Sequence, residues 1–213
     1  MAYPGIGIYT GQVYYSPRRP RVALRQGRGK FWYVNGDVYE GHWRRNLPHG
    51  QGRLIYTSGA VYEGAFVSGR RHGAGVLTYA SGDVYEGAWN DDNKEGRGTF
   101  TWARNGERYE GEWLAGVMHG EGHYTFADGC TFEGGYCEGK RHGFGVFNHG
   151  DGTEESGEWE HGTLVRRAPV DESVHLSLDV LIRGAKQKHS ERQHGPTSSK
   201  QRSQGGGESS ILW

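Results

Sequence analysis

Apolar and polar residues alternate along most of the chain, in short segments separated by glycine. In residues 83–89, Tyr85 and Trp89 fall on one side of an extended strand and Glu86 falls on the other. Residues 98–102 alternate in the same way. Alternation with a period of two is typical of half-buried antiparallel strands. The pattern therefore predicts pairs of short strands, each pair forming a hairpin.

The hairpin pattern recurs with a period of about 23 residues, and such a period is the mark of a repeat architecture. Each copy begins with an aromatic residue, then Glu, Gly, a variable residue and a second aromatic residue. The copies start at Tyr39, Tyr62, Tyr85, Tyr109 and Phe132 and, in altered form, at Glu155. A second motif, His-Gly-x-Gly, starts at His49, His72, His119 and His142, with Glu95 in place of the histidine in one copy. An N-terminal copy starts at Tyr9 and carries an insertion near residues 14–26.

Five dipeptides join the second strand of one copy to the first strand of the next. They are Asn35-Gly36, Ser58-Gly59, Ser81-Gly82, Asn105-Gly106 and Asp128-Gly129. Dipeptides of this kind favour tight hairpin turns, which need positive φ angles. We therefore expect an up-and-down meander of about thirteen strands, from near Tyr9 to near Trp159.

The same face of every strand pair carries aromatic residues. One row consists of Tyr39, Tyr62, Tyr85, Tyr109 and Phe132, and the other of Trp43, Phe66, Trp89, Trp113, Tyr136 and Trp159. A single sheet has no second layer, so it must curl and use its own aromatic face as a core. The predicted fold class is all-β, a single-layer antiparallel meander of stacked β-hairpin repeats that forms a twisted, half-closed trough.

Three regions are predicted. Residues 1–164 form the meander of about six units. Residues 165–186 form a linker and a capping or docking segment. Its apolar residues fit either a short helix, which we favour, or a strand. Residues 187–213 form a flexible, basic polar tail whose composition is typical of disorder in the free chain.

The motif Tyr-x-Gly followed by His-Gly-x-Gly, in a unit of about 23 residues, resembles the MORN (membrane occupation and recognition nexus) repeat. The resemblance covers roughly residues 9–160 and is greatest to the short, repeat-only axonemal and cytoskeletal members. It implies a non-catalytic scaffold or adaptor in the cytoplasm, within a cytoskeletal assembly such as the radial-spoke-like complexes of a ciliary or flagellar axoneme. The implied partners are other proteins of such a complex. A homodimer or a heterodimer with another MORN-repeat protein is compatible with this.

Composition supports a folded chain and argues against nucleic acid as a partner. The 7 Trp, 13 Tyr and 7 Phe are too many for a disordered protein. Lys and Arg together number 25, as do Asp and Glu, so the net charge is zero and no polyanion partner is indicated. We see no apolar run long enough to cross a membrane.

The repeated histidines and glutamates suggest no catalytic, metal or cofactor site. Equivalent residues of adjacent copies lie two strands apart, about 9.6 Å, whereas zinc ligands lie about 2 Å from one ion. We expect the histidines to bond the turn backbone. The Gly-x-Gly motif lacks the Lys-Ser/Thr of a phosphate-binding loop. No enzyme activity, cofactor or metal is expected.

Two surfaces remain as candidate binding sites. An exposed aromatic strip flanked by charge can hold a partner helix or peptide. Its middle is formed by Tyr62, Phe66, Tyr85, Trp89, Tyr109 and Trp113. The alternative function is a peripheral membrane tether that binds anionic phospholipid through a basic edge. That edge consists of Arg44, Arg45, Arg70, Arg71, Lys140 and Arg141.

Overall fold

The computed structural model describes residues 7–15, 17 and 22–168, which form one antiparallel sheet of fourteen strands in chain order. The strands are β1 Gly7–Tyr15, β2 Ala23–Tyr33, β3 Val38–Arg44, β4 Leu47–Ile55, β5 Val61–Val67, β6 Arg70–Thr78, β7 Val84–Asn90, β8 Asn93–Thr101, β9 Arg108–Leu114, β10 Val117–Thr125, β11 Thr131–Cys137, β12 Lys140–Asn148, β13 Glu154–Glu160 and β14 Thr163–Arg167. The all-β meander is confirmed, and the sheet is open because β1 and β14 do not pair.

Only some of the predicted region boundaries fall within the residues that the structure describes. Strand β14 continues to Arg167, past the expected end of the meander at residue 164. The choice between helix and strand in the segment 165–186 and the disorder of the tail 187–213 concern residues that, apart from 165–168, lie outside the described part of the chain. Within the described part, no helix is long and apolar enough to span a bilayer.

The tightest turns join the two strands within each repeat, whereas the sequence predicted tight turns in the connections between repeats. Arg45 and Asn46, between β3 and β4, have φ angles of 50° and 70°. Positive φ at both central residues defines the type I′ turn. The same two-residue turn recurs at Ser68-Gly69, Asp91-Asp92, Ala115-Gly116, Glu138-Gly139 and His161-Gly162. We call these the within-repeat turns.

The predicted Asn-Gly type dipeptides lie in the connections between repeats, but they do not form two-residue turns. Gly36 has a φ of 90°, while Asn35 is not among the residues with positive φ. The amide of Gly36 donates to the carbonyl of Tyr33 (2.9 Å), and the amide of Tyr33 donates to the carbonyl of Asp37 (2.9 Å). These connections are therefore longer loops that contain one glycine in the left-handed region, and the expected turn type is corrected.

A row of glycines crosses the sheet and sets its geometry. The cross-strand neighbours in this row are Gly11, Gly29, Gly41, Gly52, Gly64, Gly75, Gly87, Gly98, Gly111, Gly122, Gly134, Gly145 and Gly157. The ring of Tyr62 lies across Gly64 and Gly75, where a Cβ atom on either glycine would collide with it. Only glycine fits beneath these rings.

The rings laid on the glycine row form a continuous edge-to-face array. The centroid of Tyr62 lies 5.1 Å from that of Phe66 and 5.3 Å from that of Trp89. The Tyr62 hydroxyl donates to the carbonyl of Ala65 (3.0 Å), and Nε1 of Trp89 donates to the carbonyl of Gly75 (3.2 Å). Edge-to-face pairs add about 0.5–1.5 kcal/mol each beyond their buried area. One sheet layer therefore builds a core from its own side chains.

A bulge in each repeat bends the hairpin toward the aromatic face. Between β5 and β6, Gly64 pairs with Gly75 and Phe66 pairs with Arg71, so two steps along β5 match four along β6. Gly73 lies within this bulge with a φ of 64°. Bulges bend the strand and increase its twist. Because Arg71 is the cross-strand partner of Phe66, its side chain projects from the aromatic face.

Replacing Gly75 with alanine should destabilise the fold through its contact with a single ring. We expect Gly75→Ala to lower the free energy of unfolding by about 2–3 kcal/mol, the range for overpacking a closed site. In a Tyr62→Ala background the same change should cost below about 1 kcal/mol, because the Cβ atom would meet no ring. Urea denaturation of the four proteins measures this coupling.

Gly116→Ala is the matched control for Gly75→Ala. A Cβ atom there would meet nothing within 4 Å, but φ is +89°. The change should cost about 1–2 kcal/mol through backbone strain, and its cost should not depend on Tyr62. An equal cost of Gly75→Ala in both backgrounds would show that the ring does not impose the glycine.

Candidate protein-binding surfaces

The six residues predicted to form an open aromatic strip lie together, but they are covered. Their exposed fractions lie between 0% and 5% for Tyr62, Phe66, Tyr85, Trp89, Tyr109 and Trp113. The sequence-based expectation was that a single layer leaves these rings accessible on a concave face. The structure differs because the bent hairpins fold over them. A partner-binding role for these six side chains stays a prediction, and it would require the cover to open.

The cover is formed by one residue near the start of each second strand. These cover residues are Arg25, Pro48, Arg71, Lys94, Met118 and Arg141. The guanidinium carbon of Arg71 lies 4.2 Å from the ring centroid of Trp89, and Nζ of Lys94 lies 4.2 Å from that of Trp113. Cations over tryptophan faces gain about 0.5–2 kcal/mol. Each cationic cover residue thus ties one repeat to the next.

The cover residue matches the ring beneath it. Arg25 lies over Trp43 at 4.7 Å and Arg141 over Trp159 at 4.1 Å, as Arg71 and Lys94 lie over their tryptophans. Where the equivalent ring is Phe66 or Tyr136, the cover residue is Pro48 or Met118. Cations therefore accompany tryptophan, and uncharged residues accompany the other two rings. Residues 71, 73, 75 and 77 alternate onto the aromatic face. This alternation could have predicted that Arg71 projects over the rings, but the role of Arg71 was not predicted from the sequence.

The predicted basic edge lies at the within-repeat turns, but its charges are unequal. Nη1 of Arg70 lies 3.1 Å from Asp91, and Nε of Arg71 lies 3.0 Å from Asp92. The guanidinium of Arg141 donates to the carbonyl of Gly162 (3.0 Å). Burial alone would raise the pKa of the Asp92 carboxyl, but hydrogen bonds from Arg71 outweigh burial and hold the pKa below its ordinary value. Four members of the edge, Arg44, Arg45, Arg70 and Lys140, are exposed, and of these Arg70 forms the ion pair with Asp91.

The open concavity of the sheet is on the opposite, polar face. A groove of 1570 Å³ crosses β1 to β8, a span of seven strand spacings or about 34 Å. The backbone of the glycine row and the small side chains of Ala74 and Ala88 line its middle. Charged pairs line the rest, with Lys30 lying 3.2 Å from Glu40 and Arg53 lying 3.2 Å from Glu63. The repeated glutamate of the Tyr-Glu-Gly motif was the sequence signal for this groove.

The structure shows the surroundings of the repeated histidines, which were expected to bond the turn backbone. Nδ1 of His72 is buried without a hydrogen-bond partner, so this histidine does not bond the turn backbone through that atom as expected. Within residues 7–15, 17 and 22–168, no group of three or more His, Cys, Asp or Glu side chains is arranged to hold a metal ion. The repeated histidines remain separate along the sheet.

The sequence motif of the MORN repeat matches residues 24–38, 39–61, 62–84, 85–107, 109–131 and 132–154. The chain therefore belongs to the MORN-repeat family. A comparison with curated proteins found no match to the chain.

Solved structures that resemble the sheet include two domains bound to peptides. One is the TCP domain of Drosophila melanogaster SAS-4 (dCPAP) in complex with a proline-rich motif of Ana2 (dSTIL), with 13% identity, 69% of this chain and 77% of that chain covered, and a TM-score of 0.42. Another is the TCP10 domain of Danio rerio CPAP with a peptide of Danio rerio STIL, with 11% identity, 68% and 67% covered, and a TM-score of 0.37. At these scores the likeness carries no argument about function.

Buried titratable groups on the aromatic face predict that the free energy of unfolding rises with pH up to about 10 and falls above it. Burial, and secondarily Arg71, lowers the pKa of Lys94 to about 8 from its ordinary 10.5. Between these values the unfolded chain binds more protons, so stability should rise with pH. Burial raises the pKa of buried tyrosines such as Tyr62 and Tyr85 above their ordinary 10. Their contribution is complete below pH 10 and should be lost as pH rises further.

Lys94→Met isolates the first effect, because methionine is the natural cover residue at position 118. The unfolding midpoint in urea should increase between pH 8 and pH 10 in the wild type but not in Lys94→Met. Both proteins should lose stability above pH 10. Parallel profiles between pH 8 and pH 10 would contradict the assignment of the rise to Lys94.

Proposed function

We propose that the chain is a non-catalytic protein-interaction scaffold whose polar-face groove holds a segment of a partner protein. The groove itself carries this proposal, because it is a large open concavity on a sheet whose aromatic rings on the other face are covered by side chains of the chain itself. Membership in the MORN-repeat family supports the scaffold role.

The size and chemistry of the groove favour a polypeptide over a small molecule. Its 1570 Å³ exceeds the range of small-molecule pockets, which is about 300–1000 Å³. Its length of about 34 Å fits an extended segment of about ten residues or a longer helix. The groove carries both positive and negative side chains, which suits a partner protein with a polar surface. Binding of a nucleic acid would require an excess of positive charge.

The groove can exchange its internal ion pairs for contacts with a partner at low cost. Lys30 with Glu40 and Arg53 with Glu63 are substantially exposed pairs. Exposed ion pairs contribute about 0–1 kcal/mol each. A partner that replaces them with its own charges therefore gives up little, while the glycine backbone and Ala74 allow close approach in the middle.

We further propose that the partners are proteins of a cytoskeletal complex in the cytoplasm, and specifically of a ciliary or flagellar axoneme. This placement rests on the resemblance to short repeat-only members with radial-spoke-like roles. A homodimer or a pair with another MORN-repeat protein is compatible with the open edges β1 and β14.

Binding of anionic phospholipid through the basic edge is the second candidate. Exposed Arg44, Arg45 and Lys140 favour it, since each basic residue near an anionic surface adds about 1 kcal/mol. Arg44 and Lys140 lie in β3 and β12, nine strand spacings or about 43 Å apart. Arg70 and Arg71 between them are paired with acids. This spacing makes the edge the weaker site.

Filling the middle of the groove should abolish partner binding without unfolding the protein. Ala74 and Ala88 are cross-strand neighbours on the groove floor, so Ala74→Arg with Ala88→Arg places two long side chains across it. Cross-linking mass spectrometry in ciliated cells that express the chain should show at least a tenfold loss of groove cross-links. Ala103→Arg, in an exposed loop, is the control and should retain them. Unchanged partners in the filled variant would refute the groove as the site.

Detergent extraction and liposome sedimentation separate the two candidate functions. We expect the protein to stay with the detergent-resistant axoneme and to ignore vesicles, with or without phosphatidylserine. Vesicle binding that falls severalfold in Arg44→Gln with Lys140→Gln would instead support the lipid tether. Complete extraction together with a lack of vesicle binding would contradict the axonemal placement.

A further inference from the structure

We propose that a cavity on the aromatic face, at Pro48, is a second docking site, and that it takes one large apolar side chain from an acidic segment of a partner protein. The cavity has a volume of 240 Å³ and is lined by residues from β2 to β6 and by Asp92 of the turn between β7 and β8. It is on the opposite face from the groove, so this inference does not rest on the proposed function of the groove.

The cavity exists because one cover residue is too short. Pro48 occupies the position at which Arg71, Lys94 and Arg141 extend over a ring, and Phe66 occupies the position of a larger tryptophan. Both changes remove volume from the same place, and the cavity is lined by both residues. In the repeat that starts at Tyr109, Met118 is long enough to pack against the core. The other repeats thus serve as internal controls.

The lining indicates an apolar occupant. Apart from Gly69 and one ion pair, the lining residues are aliphatic or aromatic: Tyr33, Tyr39, Leu47, Pro48, Leu54, Tyr56 and Phe66. Within this chain, cations cover tryptophan, whereas Phe66 and Tyr136 have the uncharged Pro48 and Met118 at the cover position. By the same chemistry, the space over Phe66 suits an aliphatic or thioether side chain. The pair Arg71 and Asp92 forms one wall and is already satisfied, with Nε of Arg71 3.0 Å from the carboxylate.

The charges around the opening indicate acidic flanking residues in the partner. Arg44 and Arg45 are exposed and precede Leu47 and Pro48 in the chain, separated from them by Asn46. On the other side, Arg70 is paired with Asp91 (3.1 Å). Because the Arg70–Asp91 pair is neutral, Arg44 and Arg45 give the turn beside Leu47 and Pro48 a net positive charge. Charge complementarity favours acidic residues on either side of the inserted side chain.

The test uses the full chain and two blocked peptides, Asp-Glu-Leu-Asp-Glu and its serine control Asp-Glu-Ser-Asp-Glu. Methyl signals of Leu47 and Leu54 are followed by NMR during titration. Burial of one leucine side chain predicts that the leucine peptide binds at least about tenfold more tightly. Equal affinities, or shifts confined to the groove residues Ala74 and Val76, would overturn the proposal.

Cavity-filling variants give the matched comparison. Pro48→Met installs the residue found at position 118 and should abolish the shifts, while Lys94→Met changes a cover residue elsewhere and should leave them intact. Phe66→Trp is a second way to fill the space if Pro48→Met lowers the unfolding midpoint. Binding that survives in a folded filled variant would refute the cavity as the site.

The flanking charges are tested separately. Arg44→Gln with Arg45→Asn, the latter chosen because residue 45 has a φ of 50°, should weaken both peptides severalfold and reduce the salt dependence of binding. The preference for leucine over serine should persist. Nuclear Overhauser contacts from Leu54 to residues 171–182 or 211–213 in the peptide-free chain would assign the cavity to the chain's own tail and overturn the proposal of a partner segment.

Discussion

The fold depends on one steric arrangement, an aromatic ring laid flat across two paired glycines. The ring of Tyr62 covers Gly64 on its own strand and Gly75 on the next, and no residue larger than glycine fits beneath it. Because each ring also meets a ring of the following repeat edge to face, the arrangement propagates through the sheet. A single layer thereby acquires a dry core, which a sheet ordinarily obtains only by packing against a second layer.

The cover residues join the core of each repeat to the repeat that follows it in the sequence. Arg71 projects from one hairpin onto Trp89 of the next, and its guanidinium is held there by Asp92. Stability is therefore a sum of contacts between neighbours, as in other repeat proteins. A change at one cover position has local consequences, and the cavity beside Pro48 is an example. Repeats of this kind can acquire a site without disturbing the rest of the sheet.

The two faces of the sheet have separate roles. Apart from the cavity beside Pro48, the aromatic face stabilises the fold, since its rings are covered by their own hairpins. The polar face keeps a long groove whose exposed ion pairs contribute little to folding and are available to a partner. The expectation that the aromatic rows themselves bind a partner assumed that a half-closed trough leaves part of each ring accessible. The cover residues of the bent hairpins leave these rings at most 5% exposed.

Periodicity alone determined the strand order, the alternation of faces, the glycine row and the family, because all of these are local patterns repeated in register. The face that stays open was decided only in three dimensions. It depends on a bulge at which two steps of β5 match four of β6, together with a φ of 64° at Gly73. These features bend Arg71 over a ring eighteen positions later in the sequence. Alternation predicts the side of the sheet from which a side chain projects. How far that side chain reaches across the sheet depends on strand bending, which is a property of the paired strands.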